Sequence, residues 1–270
     1  MRVGFVGLGN QGAPIAQRIV DGGFDCAVWA RRAEALEPFR DGPARIAASL
    51  PNLGEGLDLL GACLFDAAGA REVLFGPNGV ARAMPRGAVI AVHSTVSPAE
   101  VRQIADEAAA LGLRVLDAPV SGGAIKAAQG ELVTMVGGDP RTLAECRPVF
   151  STFASQIVHL GDVGAGQQAK LINNAMLTAH IAIAADAFAL AAELGLDRAA
   201  LAEVLRTGSG RSFGAEMVAA ASAQSVGGSQ ARPTLSKDVR LLAELVEQGR
   251  ASVLLSVAQR LIDEWDAANA

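Results

Sequence analysis

The chain is short of the residues from which many sites are built. Among 270 residues there are three cysteines and three histidines. Cys26, Cys63 and Cys146 are widely spaced, odd in number and include no CxxC pair. They read as reduced core residues of a cytosolic protein, which excludes a disulfide framework or a dithiol redox motif. His159 and His180 lack the partner spacing of a metal site, no His, Cys and carboxylate cluster stands elsewhere, and no metal is expected. Charge is sparse too: 19% of residues are charged, the net charge is −5, and no basic stretch is available to neutralise a run of phosphates. That excludes nucleic acid as a partner. There are no repeats and no low-complexity tail. The opening Met1-Arg2-Val3-Gly4-Phe5-Val6 enters a strand at once, leaving no room for a signal peptide, so a cytoplasmic location is expected.

What the chain has in quantity is apolar residues, 51% of the total. At this length it can bury a full core and is expected to form two domains. Short apolar runs at Val3–Val6, Cys26–Trp29, Gly61–Phe65, Val89–Val92, Arg114–Leu116, Leu132–Val136 and Ile157–Leu160 read as strands. They alternate with helical patterns over 13–21, 33–39, 67–74, 98–111 and 140–152. This alternation predicts an α/β domain, a mostly parallel sheet wrapped by helices, over residues 1–162. From 163 to 270 the strand signal disappears. Helices are expected over 165–195, 198–206, 212–224, 234–248 and 250–268, with a loop at Gly227-Gly228-Ser229 and Pro233 opening the next helix. The most apolar segment, Ala175–Leu196, is interrupted by His180, Asp186 and Glu193, which argues against a membrane span. A helix apolar nearly all round is instead buried on several sides, here between domains and between subunits.

The first strand runs into Gly7-Leu8-Gly9-Asn10-Gln11-Gly12, which opens the first helix. In such a loop the glycines serve a tight turn, close approach of backbone to a pyrophosphate, and tight helix–strand packing. The helix N-terminus adds unpaired N–H groups and positive dipole. This position makes the motif a dinucleotide fingerprint. The second strand ends Val28-Trp29-Ala30-Arg31-Arg32, with no acid to hold an adenine ribose. Arginines there can grip a 2′-phosphate in two-pronged fashion, so NADP is the expected cofactor, with NAD possible; the other reading is a solvated turn. Leu64 and Phe65 are counted with the cofactor site. In His93-Ser94-Thr95-Val96-Ser97-Pro98, Thr95 leaves the carboxyl end of a strand, where ligands bind in parallel sheets. Ser97 equally reads as a helix cap before Pro98.

Two further segments carry chemistry. Asp117-Ala118-Pro119-Val120-Ser121-Gly122-Gly123 leaves a strand into a glycine-rich turn, whose backbone N–H groups and Ser121 hydroxyl can form a nest for a carboxylate, with Lys126 nearby. In Gly164-Ala165-Gly166-Gln167-Gln168-Ala169-Lys170-Leu171-Ile172-Asn173-Asn174, a lysine stands in an apolar run and an asparagine follows four residues later on the same helical face. Lys170 and Asn174 can converge on one small molecule. Burial beside Ala169 and Leu171 would lower the lysine's pKa towards the working range, and a bound carboxylate would raise it again.

Taken together, the segments resemble the β-hydroxyacid dehydrogenase family, which includes 3-hydroxyisobutyrate dehydrogenases and tartronate or glyoxylate semialdehyde reductases. Four signatures match in order: Gly7–Gly12, Asp117–Gly123 extended through Gly130, Gly164–Asn174, and Ser236-Lys237-Asp238-Val239. The resemblance implies an N-terminal Rossmann domain, a long interdomain helix and an all-helical C-terminal domain that builds homodimers or homotetramers. It makes Lys170 catalytic and Asn174 its substrate-binding neighbour. It assigns Ser121, Gly122 and Gly123 to the substrate carboxylate, and Thr95 and Lys237 to the cofactor. On general grounds Lys237 and Asp238 also read as an exposed ion pair. The run from Ser121 to Glu131 is similar to the sugar-acid branch, such as L-threonate dehydrogenases. The chain departs from the pattern at Gln230 and Ala231, where phenylalanine is usual. It also ends at Ala270, which is expected to cost it the family's last helix.

The implied reaction is hydride transfer between nicotinamide and a small β-hydroxy acid or its semialdehyde, with Lys170 as general acid and base. An imine reductase is a rival, although that resemblance usually replaces the lysine by aspartate or tyrosine. A decarboxylating 6-phosphogluconate dehydrogenase is disfavoured because no histidine accompanies Asn173-Asn174. The rival from another class is a catalytically silent NADP-binding scaffold. Arg232 either recognises an anionic group or is a solvated surface residue.

Overall fold

The computed structural model describes residues 1–228, 231–246 and 252–268. Two compact units are present, Met1–Lys170 and Leu171–Ala270. The first holds nine strands: β1 (Arg2–Val6), β2 (Asp25–Trp29), β3 (Arg45–Ile46), β4 (Leu59–Ala62), β5 (Val89–Val92), β6 (Arg114–Asp117), β7 (Val120–Ser121), β8 (Leu132–Gly137) and β9 (Ala154–Gly161). Its helices are α1 (Gly12–Asp21), α2 (Leu50–Gly54), α3 (Ala67–Phe75), α4 (Pro98–Ala110), α5 (Gly123–Gln129) and α6 (Pro140–Phe150), with a 3-10 helix over Ala33–Phe39. Strands β3-β2-β1-β4-β5-β6 lie side by side in parallel; β8 then joins β6 antiparallel, and β9 pairs β8 in parallel.

Strand β1 shows why this sequence makes a two-sided sheet. Val3 and Phe5 enter one core with Ile15 and Ile19 of α1 and Leu143 and Val149 of α6. Val6 points into the other, with Leu53 of α2, Leu74 of α3 and Val101 of α4. The period-2 alternation of a strand thus feeds two layers of helices, as buried parallel sheets require. Within the first core, His93 stacks on Phe5 and meets the edges of Phe150 and Phe153. Its Nδ1–H donates to the Ala118 carbonyl at 2.8 Å. Burial pushes the imidazole down to about 4, against that hydrogen bond, so this histidine is a neutral packing residue.

The second unit is helical: the rest of α7 (Ala165–Glu193), which begins in the first unit, then α8 (Arg198–Thr207), α9 (Phe213–Ala220), α10 (Ala223–Gly227), α11 (Ala231–Leu245) and α12 (Val253–Ala267). Leu171, Ala175, Ile181 and Phe188 of α7 share its core with Val239, Leu242, Ile262 and Trp265. By length and composition alone α7 is apolar enough to cross a membrane; 44% of its most apolar stretch is buried within the protein.

The architecture is that expected from the sequence, and the differences have local causes. The third long strand is Leu59–Ala62, not Gly61–Phe65, because its register is set by Val3–Val6 on one side and Val89–Val92 on the other. Leu64 and Phe65 therefore lie beyond its carboxyl end. The helix expected over 212–224 is broken after Ala220, where Ser222 accepts the Ser225 N–H and starts a new turn. Strands β3 and β7 and helices α2 and α5 are too short to leave a periodic signal. Ser229 and Gln230 lie outside the described residues; Pro233 sits in the first described turn of α11.

Candidate active site

Strand order reverses at β1, whose neighbours β2 and β4 lead away in opposite directions. Ligands of open parallel sheets bind outside the carboxyl ends of strands at such a point. A cleft of about 760 Å³ lies there, lined by Gly7, Leu8 and Gly9 after β1, Ala30, Arg31 and Arg32 after β2, and Leu64 and Phe65 after β4. Gly7 has φ +89°, a conformation reserved for glycine, and a Cβ on Gly12 would collide with the Gly7 carbonyl. A Cβ on Gly9 would meet nothing within 4 Å, so that glycine leaves an open backbone face. Gln11 precedes α1 without a side-chain cap. An open glycine, an uncapped helix start and two exposed arginines fit a dinucleotide with its phosphates. Asn10, Gln11 and Gly12 stand in the adjoining turn. Asp66, also in the lining, is engaged as the cap of α3, accepting the Gly69 N–H at 2.8 Å.

Thr95 lies in the loop between β5 and α4. Ser97 is indeed the cap of α4, with a complete capping box to Glu100. Both expectations for this loop are thereby compatible. Ser94 accepts the Leu64 N–H at 2.7 Å, joining the loop to the end of β4.

Ser121 is the second residue of β7, paired with Val133. Gly122, at φ +132°, and Gly123 lead directly into α5. The expected open nest is therefore the first turn of a short helix, because Val120 and Ser121 pair with β8 and bring the chain round abruptly. Lys126 is half-exposed and lies 4.0 Å from Glu131.

Lys170 is 8% exposed, in the second turn of α7. Sequence reasoning missed what holds that helix start. Asp117, fully buried at the end of β6, accepts the Gly164 N–H on Oδ1 and the Gln167 N–H on Oδ2, both at 2.8 Å. Burial pushes its carboxyl above the ordinary value, while the N–H groups of Gly164, Gln167 and Gly166 pull it down. The partners are separated by about 50 positions in sequence, beyond any local pattern.

In the second unit, Asn174 donates from Nδ2 to Oδ2 of Asp238 at 2.6 Å and accepts from Asn173 at 3.1 Å. Lys237 lies 3.1 Å from the other oxygen of Asp238, which is wholly buried. The exposed ion pair is thus corrected: the carboxylate is interior and organises two of the expected site residues. Arg232 is paired with Asp266 at 2.8 Å, as is Arg240, and ties α11 to α12. Gln230 lies outside the described residues.

Among the described residues, no group of three or more His, Cys, Asp and Glu is placed to hold a metal ion. His159 hydrogen-bonds the Gly138 carbonyl at 2.7 Å. All three cysteines are free thiols pushed up to about 12, chiefly by burial. They are not nucleophiles at neutral pH.

Comparison with known proteins agrees with this geometry. Residues 2–161 match the family model of the NAD binding domain of 6-phosphogluconate dehydrogenase. Residues 164–270 match that described as NAD-binding of NADP-dependent 3-hydroxyisobutyrate dehydrogenase. The chain is 40% identical over 205 residues to an uncharacterized oxidoreductase of Mycobacterium tuberculosis, covering 76% of this chain and 69% of that protein. It is 36% identical over 212 residues to the L-threonate dehydrogenase of Cupriavidus necator, covering 78% and 71%. The crystal structure of a 3-hydroxyisobutyrate dehydrogenase from Salmonella typhimurium superposes with a TM-score of 0.85 at 32% identity, covering 100% of this chain and 94% of that one.

Proposed function

Because the chain belongs to the β-hydroxyacid dehydrogenase family and is an NAD(P)-dependent oxidoreductase acting on CH–OH groups, we propose that it interconverts a small β-hydroxy acid and its semialdehyde, with Lys170 as general acid and base and a preference for NADP. The observation that carries this reading is the buried Lys170 one helical turn before Asn174, itself oriented by Asp238. A lysine is rarely buried without a task.

When bound, the nicotinamide supplies or accepts the hydride. Lys170 gives a proton to the carbonyl oxygen in reduction and removes it from the hydroxyl in oxidation, a role worth about 10²–10⁴-fold. Its ammonium also stabilises negative charge developing on that oxygen. Asn174 orients a substrate hydroxyl without adding charge. Ser121, Gly122 and Gly123 receive the carboxylate. Arg31 and Arg32 hold the 2′-phosphate, since no carboxylate stands at the end of β2 to repel it. Thr95 and Lys237 complete the cofactor's surroundings. Similarity to an L-threonate dehydrogenase and to a 3-hydroxyisobutyrate dehydrogenase makes both a hydroxylated sugar acid and an alkyl hydroxy acid substrates to test. The exposed apolar residues of α7, Ile172, Met176, Ile183 and Leu190, support assembly into homodimers or homotetramers.

The test follows absorbance at 340 nm with the phosphorylated and unphosphorylated cofactors in parallel, NADP+ and NAD+ over hydroxy acids, and NADPH and NADH over semialdehydes and cyclic imines. Turnover of a hydroxy acid or semialdehyde that falls at least 100-fold in Lys170→Ala, with NADPH affinity unchanged, supports the reading. Turnover that survives the substitution overturns the role of Lys170. Activity on imines alone, or tight NADPH binding without any turnover, overturns the substrate class.

A further inference from the structure

The helical turn ahead of Lys170 is held by two groups to which the proposed chemistry gives no part. Asp117 receives the backbone N–H groups of Gly164, just ahead of α7, and of Gln167 in its first turn. The approach is close enough to demand glycine around it. A Cβ at Gly166 would collide with the Met135 carbonyl and press on Asp117, and one at Gly137 would strike the same carboxylate. Gly164 sits at φ +102°.

Gln167, fully buried, makes a second clasp. Its Oε1 accepts the Val96 N–H at 3.1 Å and its Nε2 donates to the Ser94 carbonyl at 2.9 Å. The amide thus bridges the residues on either side of Thr95. Ser94 in turn accepts the Leu64 N–H beside the cofactor cleft. One continuous set of hydrogen bonds therefore runs from Leu64 through Ser94 and Gln167, less than one turn ahead of Lys170.

We infer that Asp117 and Gln167 are positioning residues that hold the Lys170 turn at a set spacing from the Ser94–Val96 loop, and so hold the proton donor relative to the cofactor side of the reaction. This rests on the reading of Lys170 as the general acid and base. The chemistry of the clasp requires an amide. Glutamate accepts from Val96 but cannot donate to Ser94, and methionine, of similar shape, does neither. A displacement near 1 Å is enough to cost about 100-fold in rate.

The experiment uses the enzyme saturated with NADP+ and whichever of 3-hydroxyisobutyrate and L-threonate it oxidises faster. Gln167→Met is expected to lower kcat about 10- to 100-fold while the NADPH Kd and the substrate KM change less than threefold. Gln167→Glu is expected to fall in the same direction. In a Lys170→Ala background, Gln167→Met is expected to add almost nothing, because a residue that acts through Lys170 has nothing left to position. Multiplicative losses in the double variant, or a parallel loss of NADPH binding, would overturn the inference and leave a merely structural role. So would Gln167→Met with wild-type kcat. Should Lys170→Ala itself retain turnover, the underlying reading fails, and that result is distinct from the other three. Asp117→Asn, which keeps an acceptor on one side only, repeats the test from the second clasp.

Discussion

Among the described residues, each unit buries one carboxylate completely, and the two are satisfied in different ways. Asp117 in the first unit is surrounded by backbone N–H groups of the start of α7. Asp238 in the second is held by side chains, the Lys237 ammonium and the Asn174 amide. Backbone donors are fixed once the fold forms, so Asp117 acts as part of the frame. Side-chain donors can turn away or exchange partners, which suits the substrate and cofactor roles proposed for Asn174 and Lys237.

The sharpest way to break this comparison is to remove each carboxylate. Asp117→Ala strands at least two buried N–H groups, each costing about 1–3 kcal/mol, so a loss of about 4 kcal/mol in unfolding free energy is expected. Urea denaturation measures it. Asp238→Ala is expected to cost about 2 kcal/mol, since Lys237 is 24% exposed and can reach water while the Asn174 amide cannot. An equal or larger loss at Asp238 would show that the side-chain network is as much a part of the frame as the backbone one.

Between those two in size lies a pH effect confined to the first unit. His93 is held near 4 in the fold against an ordinary 6.5. Between these values the unfolded chain binds a proton that the folded chain refuses, so stability falls as pH drops through this window, by roughly 3 kcal/mol below pH 4. Asp117, raised by burial, works in the opposite sense at the acid end. The measurement is therefore the difference in pH slope between wild type and His93→Gln, which should be flatter. Identical slopes would contradict a buried neutral imidazole.

A smaller effect separates frame from contact in the cofactor cleft. The glycine loop is backbone, whereas Arg31 and Arg32 are exposed side chains. Replacing both by alanine is expected to weaken NADPH about 10- to 100-fold while NADH affinity and melting temperature stay put, as isothermal titration and thermal unfolding will register. Equal weakening of both cofactors would remove the case for NADP preference. Least of all should change with a thiol reagent: at pH 8 the native enzyme is expected to label slowly at Cys26, Cys63 and Cys146, and rapidly only in urea.

Legibility in the sequence divides along the same line. Gly7, Gly9 and Gly12 announce themselves because turn, approach and packing are local demands met within six residues. Val89–Val92 and Pro98–Ala110 were readable for the same reason, one as an apolar run and the other from a cap, a proline and a helical period. Lys170 and Asn174 were visible as polar residues in an apolar helix. What joins them to the rest was not visible. Asp117 could be recognised as the start of a motif, yet not as the anchor of a helix 47 residues on. Asp238 also read as half of an exposed ion pair with Lys237.

By itself, then, the sequence determined the alternation of strand and helix and the dinucleotide loop, because periodicity, capping and glycine conformation act over a few residues. The tertiary structure decided the register of β4, which takes Leu64 and Phe65 out of the strand and leaves them in the lining of the cleft. It also decided which buried carboxylate is met by backbone and which by side chains. Those are settled by packing between segments far apart in the chain, where the cost of an unsatisfied buried charge selects the partner and no local pattern records the choice.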